Sequence, residues 1–395
     1  MIQAGRLASS LDSNPFAPGN ESAFARWKAA KLGNYPARSD DLIVEVRDPR
    51  ALSQGTVMPN FNFSTEQAQS LAMLMLSWKR NDVPAYRLRV AYGDIVRGQS
   101  VATVTRQISH VADAIVEAAL RAARQRLDHR RARQTTGKPE RFVVLALGKL
   151  GGAELNYSSD IDLVFLYDRG RGADLSAQQA AAEYSDRLVR EVLKLLTEAT
   201  DLGAAYRVDL RLRPDGNAGP MAVSYDSALH YYDTSGRTWE RQAMVKARPI
   251  AGDLAFGREF LEQLEPWIYR RYLSRADITG IKALKRRIEH KTHQAGSSNT
   301  DVKTGHGGIR DIEFTIQFLQ LLNGGDLPAL RQRNTLLAMQ ALERAGCLTA
   351  QEYAILEDAY RFLRKTEHRL QLLFDWQTHE LPTGDDELRK LALRM

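Results

Sequence analysis

Within GKLGGAELNYSSDIDLVFLYD, residues 148–168, two aspartates stand two apart behind a glycine-rich loop. Side chains alternate along a strand, so Asp160 and Asp162 share one face while Ile161 and Leu163 take the other. Carboxylates held side by side among apolar neighbours repel each other and lose hydration, and a divalent cation between them removes both penalties. The pair therefore asks for magnesium. Gly148, Gly151 and Gly152 let the backbone come close to a ligand, and Ser158 and Ser159 offer hydroxyls just ahead of the acids. Lys149 can meet phosphate from the same loop, although a loop lysine is solvated by default.

A second polar face supports the first. In YRVDLRLR, residues 206–213, Val208, Leu210 and Leu212 alternate with Arg207, Asp209, Arg211 and Arg213. Asp209 beside Asp160 and Asp162 gives three carboxylates, enough for two magnesium ions shared with phosphate oxygens, and Arg211 and Arg213 can neutralise a polyphosphate. The competing reading is an exposed edge strand with an ordinary charged face. Trp239, Glu240, Arg241, Lys246 and Arg248 are expected on one helix, where Lys246 and Arg248 are the better phosphate candidates. Gly305, Gly307 and Gly308 precede a helix whose free N–H groups suit an anion, with Arg310, Asp311 and Glu313 in its first turn. Acids in that place also follow from the helix dipole alone. His306 has no partner at metal-ligand spacing, and His290 and His293 read as solvated rather than as zinc ligands. Asp215 and Gly216 make a turn after Pro214.

These residues need a frame. Short apolar runs at 141–148 and 160–167, the alternation at 206–213 and a helical period at 176–200 predict a small mixed sheet. Ser64 and Gln67 form a capping pattern before a packing stripe at 71–76, and Ser100 precedes a long helix with Val101, Val104, Ile108, Val111 and Ile115 on one side. After Asp226 helices are expected at 226–234, 237–247, 254–271, 277–294, 309–322, 334–346 and 349–375, with 296–308 the clear long loop. The series 282–291 reads as a solvated face over buried Ile281, Leu284 and Ile288. In the last long helix Tyr353, Leu356, Tyr360, Leu363, Leu370 and Leu373 are expected in the core. The fold class is thus α+β and mostly helical: an N-terminal helical region at 1–138, a catalytic core at 139–253 and a helical domain at 254–395. Residues 1–60 read as loop with short helical pieces, and 385–395 stop in an uncapped helical pattern, as in an excised half of a longer protein.

Composition narrows the class. A chain of 395 residues, 44% hydrophobic, can bury a large core. One cysteine, Cys347, excludes an intramolecular disulfide and a cysteine-based zinc cluster. No signal-peptide core and no membrane-length apolar run is present, so a cytoplasmic protein without a membrane partner is expected. The net charge of +7 suits nucleic acid or an enzyme that handles nucleotides and docks on an acidic protein. The densest basic stretch, 121–138, runs off a helix end, where cations favour the dipole. Aromatic residues are not interleaved with basic ones for base stacking, so nucleic acid is not expected as a partner.

The spacing of Gly148, Asp160 and Asp162 resembles the signature of DNA polymerase beta-like nucleotidyltransferases. Together with YRVDLRLRPDGNAGP (206–220), GRTWERQAMVKARPIAGD (236–253) and GHGGIRDIEFTIQFLQL (305–321), it resembles the glutamine synthetase adenylyltransferases, over roughly residues 70 to 395. That resemblance implies a polymerase beta-like sheet followed by a helical bundle, two magnesium ions, and ATP or ADP and inorganic phosphate as substrates or products. It further implies Arg310 and Glu313 near the cleft, glutamine synthetase as protein substrate, and the PII signalling protein and glutamine as effectors. Full-length members carry two related halves, one attaching AMP and one removing it by phosphorolysis. SSDIDLVF, GNAGP, WERQAMVKAR and GGIRDIEF are closer to the removing half, RPDG to the other. Removal is expected here, with adenylylation the alternative. A polynucleotide-directed transferase or a silent regulatory module are further alternatives, and the intact aspartates argue against silence.

Overall fold

This computed structural model describes residues 90, 93–94, 97–130, 139–170, 172, 174–199, 204–270, 279, 300–374 and 378–392. Expectations for residues 1–60, for Ser64 and Gln67, for the stripe at 71–76, for the basic tail at 131–138 and for the helix at 277–294 with His290 and His293 lie outside them.

The long helix α1 (Val101–Arg130) forms where Val104, Ile108, Ala112, Ile115 and Val116 recur at helical spacing, and all of these are buried. After it, β1 (Phe142–Leu147) is buried along its whole length. A single helical turn, α2 (Gly148–Gly151), and an irregular loop lead into β2 (Ile161–Tyr167), which pairs antiparallel with β1 from Phe142↔Tyr167 to Leu147↔Asp162. Helix α3 (Leu175–Thr197), capped by Asp174, returns the chain to β3 (Val208–Asp209) and β4 (Ala222–Ser224). Both run parallel to β2: Ile161↔Val208 and Asp162↔Asp209 at one end, Phe165↔Ala222 to Tyr167↔Ser224 at the other. After α4 (Tyr225–Thr234) and α5 (Thr238–Met244), β5 (Arg248–Gly252) adds antiparallel to β1. The order is β3-β2-β1-β5, with β4 also on β2.

Alternation along the strands divides the core. Val143, Leu145, Leu147, Val164 and Leu166 join Tyr232 of α4 and Phe256, Phe260 and Leu264 of α6 (Leu254–Ile268) in one cluster. A second core forms among α7 (Ile309–Asn323), α8 (Thr335–Arg344) and α9 (Ala350–Phe374), where Ile312, Ile316, Met339, Leu342 and Tyr360 meet. Tyr353, Leu356 and Leu363 pack partly buried against it, while Leu370 is buried beside Leu391 of α10 (Asp385–Ala392).

The mostly helical α+β class and the small mixed sheet hold. Two expectations need correction. The strand over 206–213 is only two residues long, because the Asp209 carboxylate accepts from the Arg211 N–H at 2.8 Å and turns the chain. The helix expected to reach Ala247 ends at Met244, so Lys246 lies between elements and Arg248 begins β5. That strand and β4 were not expected; Pro249, which lacks an N–H to donate, is tolerated because β5 ends the strand order.

Candidate active site

The β2–β3 register sets Asp162 opposite Asp209, and Asp160 lies one residue before β2. Burial first, then the Asp209 and Asp160 charges, push the Asp162 carboxyl up to about 6. Among the described residues none is found donating a hydrogen bond to it. Asp160 pairs with Arg207 at 2.5 Å. Asp209 receives Arg211 Nε at 2.9 Å and Nη2 at 2.5 Å; burial raises its carboxyl, but these bonds outweigh that and hold it below the ordinary carboxylate range.

A hard divalent cation fits this donor set, since it would relieve the desolvation and like charge that burden Asp162. The carboxylates are not closed on one centre: among the described residues no three His, Cys, Asp or Glu side chains are grouped to hold a metal ion. Arg207 engages Asp160 and Arg211 holds Asp209.

Glycine is required twice beside the pair. Gly148 has φ +55°, and a Cβ there would lie 2.3 Å from Asp162 Oδ2. A Cβ on Gly151 would lie 2.1 Å from the Lys246 carbonyl oxygen, so α2 can rest against the start of β5 only without side chains at that point.

Most of the expected phosphate-binding cations are committed inside the protein, because a buried cation must find a carboxylate or carbonyl partner. Lys149 donates to Glu367 at 2.7 Å, and burial lowers its ammonium to about 8 against the pull of that acid. Lys246 donates to Glu154 at 2.7 Å, to Thr335 at 3.1 Å and to Glu313 at 3.2 Å. Burial lowers the Lys246 ammonium, but Glu154 and Glu313 outweigh it and raise it above its ordinary value. Glu313 is thus a partner of Lys246 and of the Tyr360 hydroxyl, 3.2 Å away. Arg248 clasps Asp113 through two bonds of 2.7 and 3.0 Å and donates to the carbonyls of Leu150 and Gly151. Arg213 is buried against the carbonyls of Leu210, Gly219 and Pro220. Arg207 and Arg211 are exposed cations beside the aspartates; Arg310 lies half-buried in the first turn of α7, and Ser158 and Ser159 are half-buried.

Sequence reasoning missed contributors in three places. Lys303, in the turn before α7, lowers the Asp162 carboxyl through its charge. Glu154 and Asn156, in the loop ahead of the aspartates, are buried acceptors for groups on α8, on α9 and on the β5 approach. On α9, Arg364, Glu367, His368 and Gln371 are all buried. Their spacing of i, i+3, i+4 and i+7 is a polar stripe at the helical period, and a stripe of that kind beside apolar positions was the available signal.

The profile of the glutamate-ammonia ligase adenylyltransferase family matches residues 37–263, and that of GlnD PII-uridylyltransferase matches residues 280–395. A bifunctional glutamine synthetase adenylyltransferase/adenylyl-removing enzyme of Xanthomonas campestris pv. campestris is 42% identical over 307 residues, 77% of this chain and 33% of the relative. Enzymes of the same description from Stenotrophomonas maltophilia and Rhizobium meliloti are each 46% identical, over 65% and 63% of this chain and 28% and 26% of their own length. The chain thus spans about a third of the length of the curated relatives it matches.

Proposed function

Because the chain belongs to the glutamate-ammonia ligase adenylyltransferase family, we propose that it removes AMP from the adenylylated tyrosine of glutamine synthetase by phosphorolysis, releasing ADP. The observation that carries a nucleotidyl-transfer site is the in-register pair of Asp162 and Asp209, with Asp162 left without a hydrogen-bond donor among the described residues. We assign the sheet to the polymerase beta-like type on the same ground: a one-turn helix after the first strand, two acids at the start of the second and a third acid on the parallel neighbour. We also assign the helical region at 1–138, the core at 139–253 and the helical domain at 254–395 as the working units.

Asp160, Asp162 and Asp209 would hold two magnesium ions, which supply Lewis-acid polarisation of phosphoryl oxygens and charge for the leaving phenolate. The protein's own groups do the remaining work. Arg211, exposed and paired with Asp209, is free to exchange that carboxylate for a phosphate oxygen. Lys303 already favours the ionised Asp162 and adds positive potential where phosphate arrives. Gly148 leaves the Asp162 carboxylate room that any other residue would fill. The Arg310 N–H donates to the Lys303 carbonyl at 3.0 Å, and Ser158 and Ser159 directly precede Asp160, so we assign all three to the same approach. Inorganic phosphate is largely ionised at neutral pH, so removal needs no strong base, whereas attack by a tyrosine hydroxyl, of pKa about 10, does.

What supports the removing direction is the wording of SSDIDLVF, GNAGP, WERQAMVKAR and GGIRDIEF. RPDG at 213–216 favours the second reading, ATP-dependent adenylylation. The PII-uridylyltransferase profile over 280–395 supports the PII protein, with glutamine, as effector. No described helix is long and apolar enough to cross a membrane, and we propose a cytoplasmic setting. The test incubates the chain with adenylylated glutamine synthetase, magnesium and phosphate, then with unmodified glutamine synthetase and ATP. ADP release in the first mixture, with little label transferred in the second, is the expected result. Faster labelling from ATP than removal by phosphate would reverse the direction.

A further inference from the structure

The segment from Lys149 to Ser159 delivers the chain to the aspartates, and beyond the single turn of α2 it has no regular structure. It is nevertheless tied to α9 at four points, from more than 200 residues away in sequence. Glu367 holds Lys149 at 2.7 Å. The Arg364 guanidinium donates to the Glu154 carbonyl and the Asn156 side-chain oxygen, and His368 Nε2 lies 3.1 Å from that same oxygen. Gln371 Oε1 accepts the Ser158 N–H at 3.0 Å, two residues before Asp160.

All four helix residues are at most 2% exposed. Burying ionised and amide groups is costly, and apolar residues of similar volume stabilise a helix interface at least as well. What the polar set provides is position, because a hydrogen bond fixes distance and direction where apolar surfaces can slide. Among the described residues Gln371 Nε2 and Asn156 Nδ2 are buried with no hydrogen-bond partner, so each amide engages through its oxygen.

We propose that α9 positions the metal site in cis, with Gln371 and Glu367 as positioning residues that hold the Lys149–Ser159 loop so that Asp160 and Asp162 meet Asp209. The proposal rests on reading those aspartates as a divalent-cation site. It makes the C-terminal helices part of the nucleotidyl-transfer unit, and any partner that shifts α9 would alter cation affinity without touching a carboxylate.

The test titrates manganese calorimetrically against the full chain, with thermal unfolding and kcat and KM measured alongside. Gln371→Met keeps the side chain's length and removes the acceptor, and manganese affinity should fall about tenfold, as for other residues that orient metal ligands. Glu367→Gln, a milder change, should fall in the same direction if Gln371→Met does not fold. Leu370→Ala removes apolar packing from the same helix; it should lower the melting temperature and leave manganese affinity within about twofold. Wild-type affinity in folded Gln371→Met and Glu367→Gln would overturn the proposal, and so would an equal loss in Leu370→Ala. Manganese binding that responds as expected in a chain that moves AMP in neither direction would sustain the positioning role and sink the proposed function alone. A wild-type chain that binds no manganese would overturn both.

Discussion

Asp162 and Asp209 stand opposite one another on adjacent parallel strands, joined by the register of β2 against β3 and separated in the chain by the whole of α3. The two carboxyls differ in state. Asp162 is raised by burial and by its acidic neighbours, while Asp209, raised by burial too, is brought below its ordinary value by Arg211. One acid therefore awaits positive charge and the other already has it.

Removing the charge that burdens the site should separate activity from stability. Asp162→Asn is expected to abolish nucleotidyl transfer at every magnesium concentration, while the metal-free protein melts at the wild-type temperature or higher. Activity measured at limiting magnesium beside a melting curve in EDTA gives the answer, and full activity in the variant would refute the metal-site reading.

Gly148→Ala should fail for a steric reason. Its left-handed backbone costs an L-residue about 1–2 kcal/mol, and the new methyl must displace the Asp162 carboxylate. Urea unfolding should show that loss, and manganese affinity should fall with it. A variant as stable and as tight for manganese as wild type would contradict the contact.

Two cations that look alike in the sequence should behave differently. Lys246→Met removes the ammonium that Glu154 and Glu313 share, and a loss of about 3–5 kcal/mol in stability is expected. Arg211→Ala, at an exposed site, should leave the unfolding midpoint unchanged and raise the KM for phosphate. Equal destabilisation of the two variants would be the contrary outcome.

Stability in acid should report the buried Asp94. Burial raises its carboxyl, but His368 and the paired bonds from Arg369, 2.6 and 2.9 Å, outweigh it and hold the value at about 2, below the ordinary 3.8. A carboxyl depressed by folding contributes stability that is complete above 3.8 and is lost as pH falls through about 2. This contribution is about 2 kcal/mol, and Asp94→Asn should remove it. Chemical denaturation from pH 5 to pH 2 should show a shallower decline in the variant than in wild type, and parallel curves would rule the assignment out.

The sequence by itself determined the elements and the acids. Periodicity located α1, α3, α4 and α6 to α9 to within a few residues, because each buries one apolar stripe and that stripe is written at fixed spacing. The spacing of Asp160 and Asp162 and the glycines before them pointed to the site for an equally local reason: alternation along a strand. What only the tertiary structure decided is the fate of the other charges. A lysine or arginine reads the same whether it meets phosphate or a buried acid, so Lys149, Lys246, Arg213 and Arg248 could be sorted only when Glu367, Glu154, backbone carbonyls and Asp113 arrived from distant elements. The shortening of the strand at Asp209 belongs with them, since it depends on one carboxylate turning back to Arg211. The polar stripe of α9 likewise acquires meaning only against the loop it holds, because a buried hydrogen bond is a relation between two places and the sequence states each place separately.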